Sequence, residues 1–108
     1  MQKGKRARLE AAGWVVGTAK EFLGLSDAEA ALIETKILLS RALRDRRRRQ
    51  RLSQEELARR LRSSQSRVAK MEAGDPSVSM DLLVRSLFVL GASSDDLARA
   101  IRTRHRAA

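Results

Sequence analysis

Gln65, Ser66 and Arg67 stand in a row, with Lys70 one helical turn further on, and together they offer hydrogen-bonding reach in place of a nucleophile or a general base. A glutamine amide can pair bidentately with adenine, an arginine guanidinium with guanine, and a serine hydroxyl with several base edges. Ser64, just before them, is a good helix N-cap. The run therefore occupies the first turn of a helix, the part that enters a major groove when a helix reads DNA. Gln65, Ser66 and Arg67 are the candidates for reading bases. The candidates for holding phosphates are Ser64, Lys70, Arg48 in the basic run upstream, and Gln54, which opens the preceding helix and aims its amide and the helix N-terminus at an anion.

Other reactive residue types point elsewhere. His105 is the one histidine, it lies in the basic tail, and no second metal-type ligand stands at a useful spacing, so it reads as a solvated side chain and no metal site is expected. Asp95 and Asp96 suit the N-terminus of the last helix, where carboxylates face a helix dipole. No acid/base pair is organised for catalysis, so an enzyme such as a small ribonuclease is not expected, and no cofactor is implied. Trp14 can stack on a base in principle, but among valines it reads as an apolar packing residue.

The elements that must position the reading residues are two short helices between Leu52 and Gly74. Ser53-Gln-Glu-Glu56 has the spacing of a capping box, in which a hydroxyl and a carboxylate each satisfy a free backbone amide. The helix that follows places Leu57, Ala58 and Leu61 inward, and the small Ala58 lets its neighbour come close. In the second helix Val68 and Met71 face inward, Gly74 supplies the stop, and Pro76 prevents continuation. Upstream, Ser26-Asp-Ala-Glu29 is another capping box and predicts a long helix to about Gln50. Ala28, Leu32, Ile33, Ile37, Leu39 and Leu43 give that helix a broad apolar face, which predicts burial on more than one side, before it turns basic from Arg44 to Arg49. About half of those arginines are expected to matter for phosphate affinity. Downstream, Ser79 caps a helix bearing Leu82, Leu83, Leu87 and Leu90, closed by Gly91. Ser93 and Asp96 start a last helix through Leu97, Ala98 and Ile101, before a basic end from Arg102 to Arg106. No stretch alternates like a strand, so the fold class is all-α.

Ahead of these, residues 1–26 form an arm and residues 27–108 the main domain. In the arm Thr18-Ala-Lys-Glu21 predicts a further helix start, with Phe22, Leu23 and Leu25 in a short helix behind it. Trp14, Val15 and Val16 need a surface to cover: the main domain by preference, a partner otherwise.

The 108 residues suffice for one core of ordinary size. The formal net charge of +10, of which residues 41–62 carry +7, attracts polyanions, and double-stranded DNA is the leading partner. No cysteine is present, which fits a reducing cytoplasm. Apolar stretches such as Ile37–Leu39 fall far short of the roughly 18 residues of a membrane span. The N-terminus, with Lys3, Lys5, Arg6 and Arg8 followed by Glu10, does not read as a signal peptide.

LSQEELARRL followed by SQSRVAKMEAG resembles the Cro/C1-type (XRE) helix-turn-helix family of transcriptional regulators, over about Leu39 to Ile101. The resemblance implies a five-helix domain and a bacterial, nucleoid-associated repressor acting as a homodimer on a roughly palindromic operator. It assigns base contacts to Gln65, Ser66 and Arg67 and phosphate contacts to Gln54 and nearby basic groups. It also implies a structural ion pair between Arg47 and Glu72. A carboxylate on a helix that faces DNA repels phosphates unless it is neutralised, so such a pair is physically sensible. Two positions depart from the family pattern: Arg62 and Ser63 stand in the turn where glycine and an apolar residue are usual, and Arg46 stands where the first helix usually has an apolar side chain. With the upstream GWVVGTAKEFLGLS, the chain is also similar to antitoxin members of the family. These neutralise a toxin protein encoded beside them and repress their own operon.

Overall fold

The computed structural model describes residue 24 and residues 26–107, with side chains through residue 102. The capping box at Thr18, the short helix around Phe22, the apolar cluster at Trp14 and the side chain of His105 lie outside the described residues. Five α-helices and no strand occur among the described residues: α1 (Asp27–Arg49), α2 (Gln54–Leu61), α3 (Gln65–Ala73), α4 (Met80–Val89) and α5 (Ser94–Ala107). The chain divides into two compact units, Met1–Ile37 and Leu38–Ala108, and the boundary falls within α1.

Each helix starts where a side chain satisfies its free amides. At α1 the Ser26 amide donates to Glu29 Oε1 at 2.9 Å and the Glu29 amide to Ser26 Oγ at 3.1 Å. Ser53 and Glu56 do the same at α2, at 2.7 and 3.0 Å. Ser93 and Asp96 form the third such box, at α5, at 2.8 and 3.1 Å. The hydroxyls of Ser64 and Ser79 each accept one amide, from Arg67 and Leu82.

The helix ends share one device as well. After each of the first four helices one residue takes positive φ, and the amide beyond it reaches back five residues. The residues are Arg51 (φ 58°), Arg62 (56°), Gly74 (75°) and Gly91 (88°). The returning bonds are Leu52 to Arg47 O at 3.1 Å, Ser63 to Ala58 O at 2.8 Å, Asp75 to Lys70 O at 3.1 Å and Ala92 to Leu87 O at 3.0 Å. Glycine makes two of these stops without strain. The other two are made by arginine, whose Cβ is crowded in that conformation.

Within the second unit the core is built from Leu39 and Leu43 of α1, Leu57 and Ala58 of α2, Val68 and Met71 of α3, and Leu83 and Leu87 of α4. Val78, Leu90 and Ala92 close it from the connections, while Leu52, Leu61 and Leu97 are partly buried against it. Fully burying one such side chain is worth about 1.5–3 kcal/mol. A buried hydroxyl sits among them: Ser86 Oγ is satisfied by Leu82 O at 2.7 Å and lies 3.7 Å from Met71 Sδ.

Two helix faces differ from expectation. The broad apolar face of α1 is buried at Leu39 and Leu43, but Leu32 remains 49% exposed. On α5, Leu97 is held against the core whereas Ile101, one turn later, is 40% exposed. The helix also continues through the basic end to Ala107 instead of stopping before it. Leu97 anchors the start of the helix against the core, and good helix formers carry it on.

Candidate nucleic-acid interface

The second and third helices are set against each other by their small and apolar residues. Ala58 on α2 is buried, as are Val68 and Met71 on the facing side of α3. Burying Val68 and Met71 turns the opposite side of α3 outward. Gln65, Ser66, Arg67 and Lys70 are all exposed; Ser66, Arg67 and Lys70 line one cleft, while Gln65 reaches toward Gln54 of α2. The first turn of α3 carries no acidic side chain. Its free amides and the dipole end therefore present positive potential to an anion.

Beside that turn lies a cleft of about 220 Å³ lined by Ser64, Ser66, Arg67, Lys70, Ser77 and Val78. Ser77 was not anticipated from the sequence. The link after Gly74 brings it there: Val78 is buried, and Asp75 Oδ1 accepts the Ser77 amide at 2.8 Å. The only signal for it was its position three residues beyond Gly74, the stop of α3, within Asp75-Pro76-Ser77. Ser64 caps α3 through the Arg67 amide at 3.2 Å, and its hydroxyl lies 3.2 Å from that of Ser66.

Behind the surface runs a chain of polar contacts that starts in the core. Arg47, 9% exposed, and Glu72, 7% exposed, form a two-point ion pair in which Nε donates to Oε2 and Nη2 to Oε1, the latter at 2.8 Å. Arg47 Nη1 also donates to Leu52 O at 2.7 Å, which ties the pair to the stop of α1. Gln54 Nε2 then donates to Glu72 Oε1 at 3.1 Å, and Gln65 Nε2 donates to Gln54 Oε1 at 2.6 Å. Burial pushes the Glu72 carboxyl up. Hydrogen bonds from Arg47 and Gln54 and the charges of Arg47 and Arg44 outweigh that, and hold it below the ordinary carboxylate value. The hydrogen bond to Glu72 raises Arg47 further, against the opposing effect of burial.

The basic run distributes itself by helical geometry. Arg48 and Arg49 are exposed, Arg47 is turned inward, and Arg44 is half-buried with its Nε lacking a hydrogen-bond partner among the described residues. Arg46 is absorbed by the fold: its Nη2 lies 3.1 Å from Asp96 Oδ2. Asp96 therefore serves both the start of α5 and the cation on α1, and it also pairs with Arg99. The apolar position that the resemblance expects at residue 46 is replaced by an ion pair between two helices.

A helix-turn-helix domain family model matches residues 38–100, more than half of the chain. The match runs from within α1 through α2, α3 and α4 into α5, and includes every residue of the exposed surface and of the polar chain behind it. No curated protein and no solved structure matches the chain. The arm residues on which the antitoxin resemblance rests lie, apart from Gly24 and Ser26, outside the described residues.

Proposed function

Because the chain belongs to the helix-turn-helix domain family and is a DNA-binding regulator of that kind, we propose that it is a sequence-specific transcriptional repressor. In this reading Gln65, Ser66 and Arg67 read bases, while Ser64, Gln54, Lys70 and Arg48 hold phosphates. The observation that carries it is the exposed, acid-free first turn of α3, whose opposite side is fixed in the core by Val68 and Met71. A turn held that way enters a major groove with its reading side chains already placed.

The protein acts as a dimer on a roughly palindromic operator. Three reading side chains, at about 1–3 kcal/mol of discrimination each, separate a site poorly from the roughly 10⁶ or more competing sites of a genome. A second copy on a second half-site doubles the reading. Bound across a promoter, the dimer blocks transcription, and its place in the cell is the bacterial cytoplasm, on the nucleoid. Selection from a randomised duplex pool followed by footprinting tests this. Two inverted half-sites about one helical turn apart, roughly 10 base pairs, are expected. A footprint confined to one half-site would exclude the dimer, and recovery of no common sequence would exclude specific reading.

A further inference from the structure

We propose that the groove between α1 and α5 binds a small amphipathic organic anion, a medium-chain carboxylate, with its head on Arg46 and Arg49 and its chain over Ala42 and Leu38. None of the side chains proposed to touch DNA lines this groove, so the inference goes beyond that role.

The groove lies within the second unit and offers about 360 Å³. That is inside the range of roughly 300–1,000 Å³ in which pockets hold small ligands. Its α1 side is a single helical face, since Leu38, Arg41, Ala42, Asp45, Arg46 and Arg49 follow one another at steps of three and one. The face is about 16 Å long. Small side chains leave the room: Ala42 of α1, Ala92 after α4 and Ala100 of α5 stand where larger apolar residues would fill the space. Leu87 and Leu97 complete the apolar wall.

Four arginines and two aspartates line the groove, which leaves an excess of positive charge. Asp96 is already shared, because its Oδ2 accepts the Ser93 amide and lies 3.1 Å from Arg46 Nη2, while its Oδ1 accepts from Arg99. Arg41 and Arg49 are exposed and form no ion pair among the described residues. Asp45, four residues from each, can answer only one of them. The end with two cations three residues apart, Arg49 and the Arg46 that Asp96 holds in place, suits the head of the ligand. A carboxylate there accepts charge-assisted hydrogen bonds from both guanidinium groups. Toward the other end the lining turns to Ala42 and Leu38, beside the methylene stem of Arg41, and an acyl chain laid there leaves water. A cation with the same chain, or an anion without one, meets only half of this arrangement.

Calorimetric titration of the full chain with octanoate, below the concentration at which it forms micelles, tests the proposal. Saturable binding is expected, with a rise in Tm, because a ligand held by the folded state alone stabilises it. Octylamine, which has the chain with the opposite charge, and inorganic sulfate, which has the negative charge without the chain, are expected not to displace it. Arg49→Ala is expected to weaken octanoate by about tenfold or more, as the loss of a charge-assisted hydrogen bond does. Ala100→Leu, which fills the groove and leaves every charge in place, is expected to weaken it at least as much. Arg60→Ala removes an exposed arginine that does not line the groove, and is expected to leave binding unchanged.

Equal losses in Arg49→Ala and Arg60→Ala would reduce the effect to the overall charge of the chain and overturn the site. Full binding by Ala100→Leu would also overturn it, since the acyl chain would then lie elsewhere. If Ala100→Leu unfolds, the comparison of Arg49→Ala with Arg60→Ala decides, because both are exposed positions. Absence of binding to the full chain, including absence because a second copy fills the groove, overturns the proposal, and so does a fall in Tm.

Discussion

Arg67 and Glu72 occupy the same helix and answer to different forces. Arg67 is exposed, and in the proposed reading its worth depends on a partner outside the chain. Replacing it by alanine is expected to cost about 1–3 kcal/mol at the preferred site and to flatten preference at one base position. Titrations with a panel of single-base operator variants measure both, and a variant that keeps the full preference would remove Arg67 from the reading set. Glu72 is buried, and its ionisation is linked to folding. Its folded-state pKa lies below the ordinary value of 4.5, as do those of Glu56 and Glu29, while Asp96 lies below its own ordinary value of 3.8. Such groups stabilise the fold fully above the unfolded value, and the contribution disappears as pH falls through the folded one. Stability followed by urea unfolding is therefore expected to be level near neutrality and to decline below about pH 4.5. Glu72→Ala, which strands a buried cation, is expected to lose about 3–5 kcal/mol at pH 7 and to flatten that decline.

At the scale of elements, the helix starts were legible because a capping box is a local event. Ser26, Ser53 and Ser93, each followed three residues later by a carboxylate, mark three of the five starts, and the structure has a helix at each. The stops after α3 and α4 were legible because glycine makes them, and α1 ends at Arg49, within a residue of the Gln50 expected. Arg62 takes φ 56° at the end of α2, and the Ser63 amide returns to Ala58 O, so the turn has the same stop as Gly74 without its usual residue. The left-handed conformation costs a side-chain-bearing residue about 1–2 kcal/mol, against about 0.4–1 kcal/mol of added chain entropy when glycine replaces it. Arg62→Gly is thus expected to stabilise the domain by about 1 kcal/mol or less. A higher urea midpoint at constant slope would show it, and a lower midpoint would mean that the arginine side chain compensates for the strain.

Across the whole molecule the charge is concentrated where α1 ends, and the fold then sorts the arginines. Arg47 goes to the core, Arg46 to Asp96, and Arg48 and Arg49 to solvent. Only arginines left in solvent can release counterions from DNA. Arg48→Ala is accordingly expected to weaken binding to specific and unrelated duplexes alike, and to reduce the slope of log affinity against log salt by about one. Binding measured between 50 and 200 mM salt, on the order of the range over which this dependence is steep, tests it; an unchanged slope would mean that Arg48 reaches no phosphate.

The amino-acid sequence by itself determined the all-α class, most helix limits, the exposed row Gln65-Ser66-Arg67 and the inward row Val68 and Met71. Each of these rests on interactions within a few residues or on a 3.6-residue period, and so can be read along the chain. The tertiary structure alone decided which arginines are free, that Arg46 finds Asp96, that Ser77 lies beside Arg67, and that Gln54 stands between Glu72 and Gln65. Those contacts join residues far apart in the chain, and several choices of partner satisfy the same local pattern. Close packing of α2 on α3 across Ala58 is what removes the ambiguity, by bringing one carboxylate within hydrogen-bonding distance of one amide.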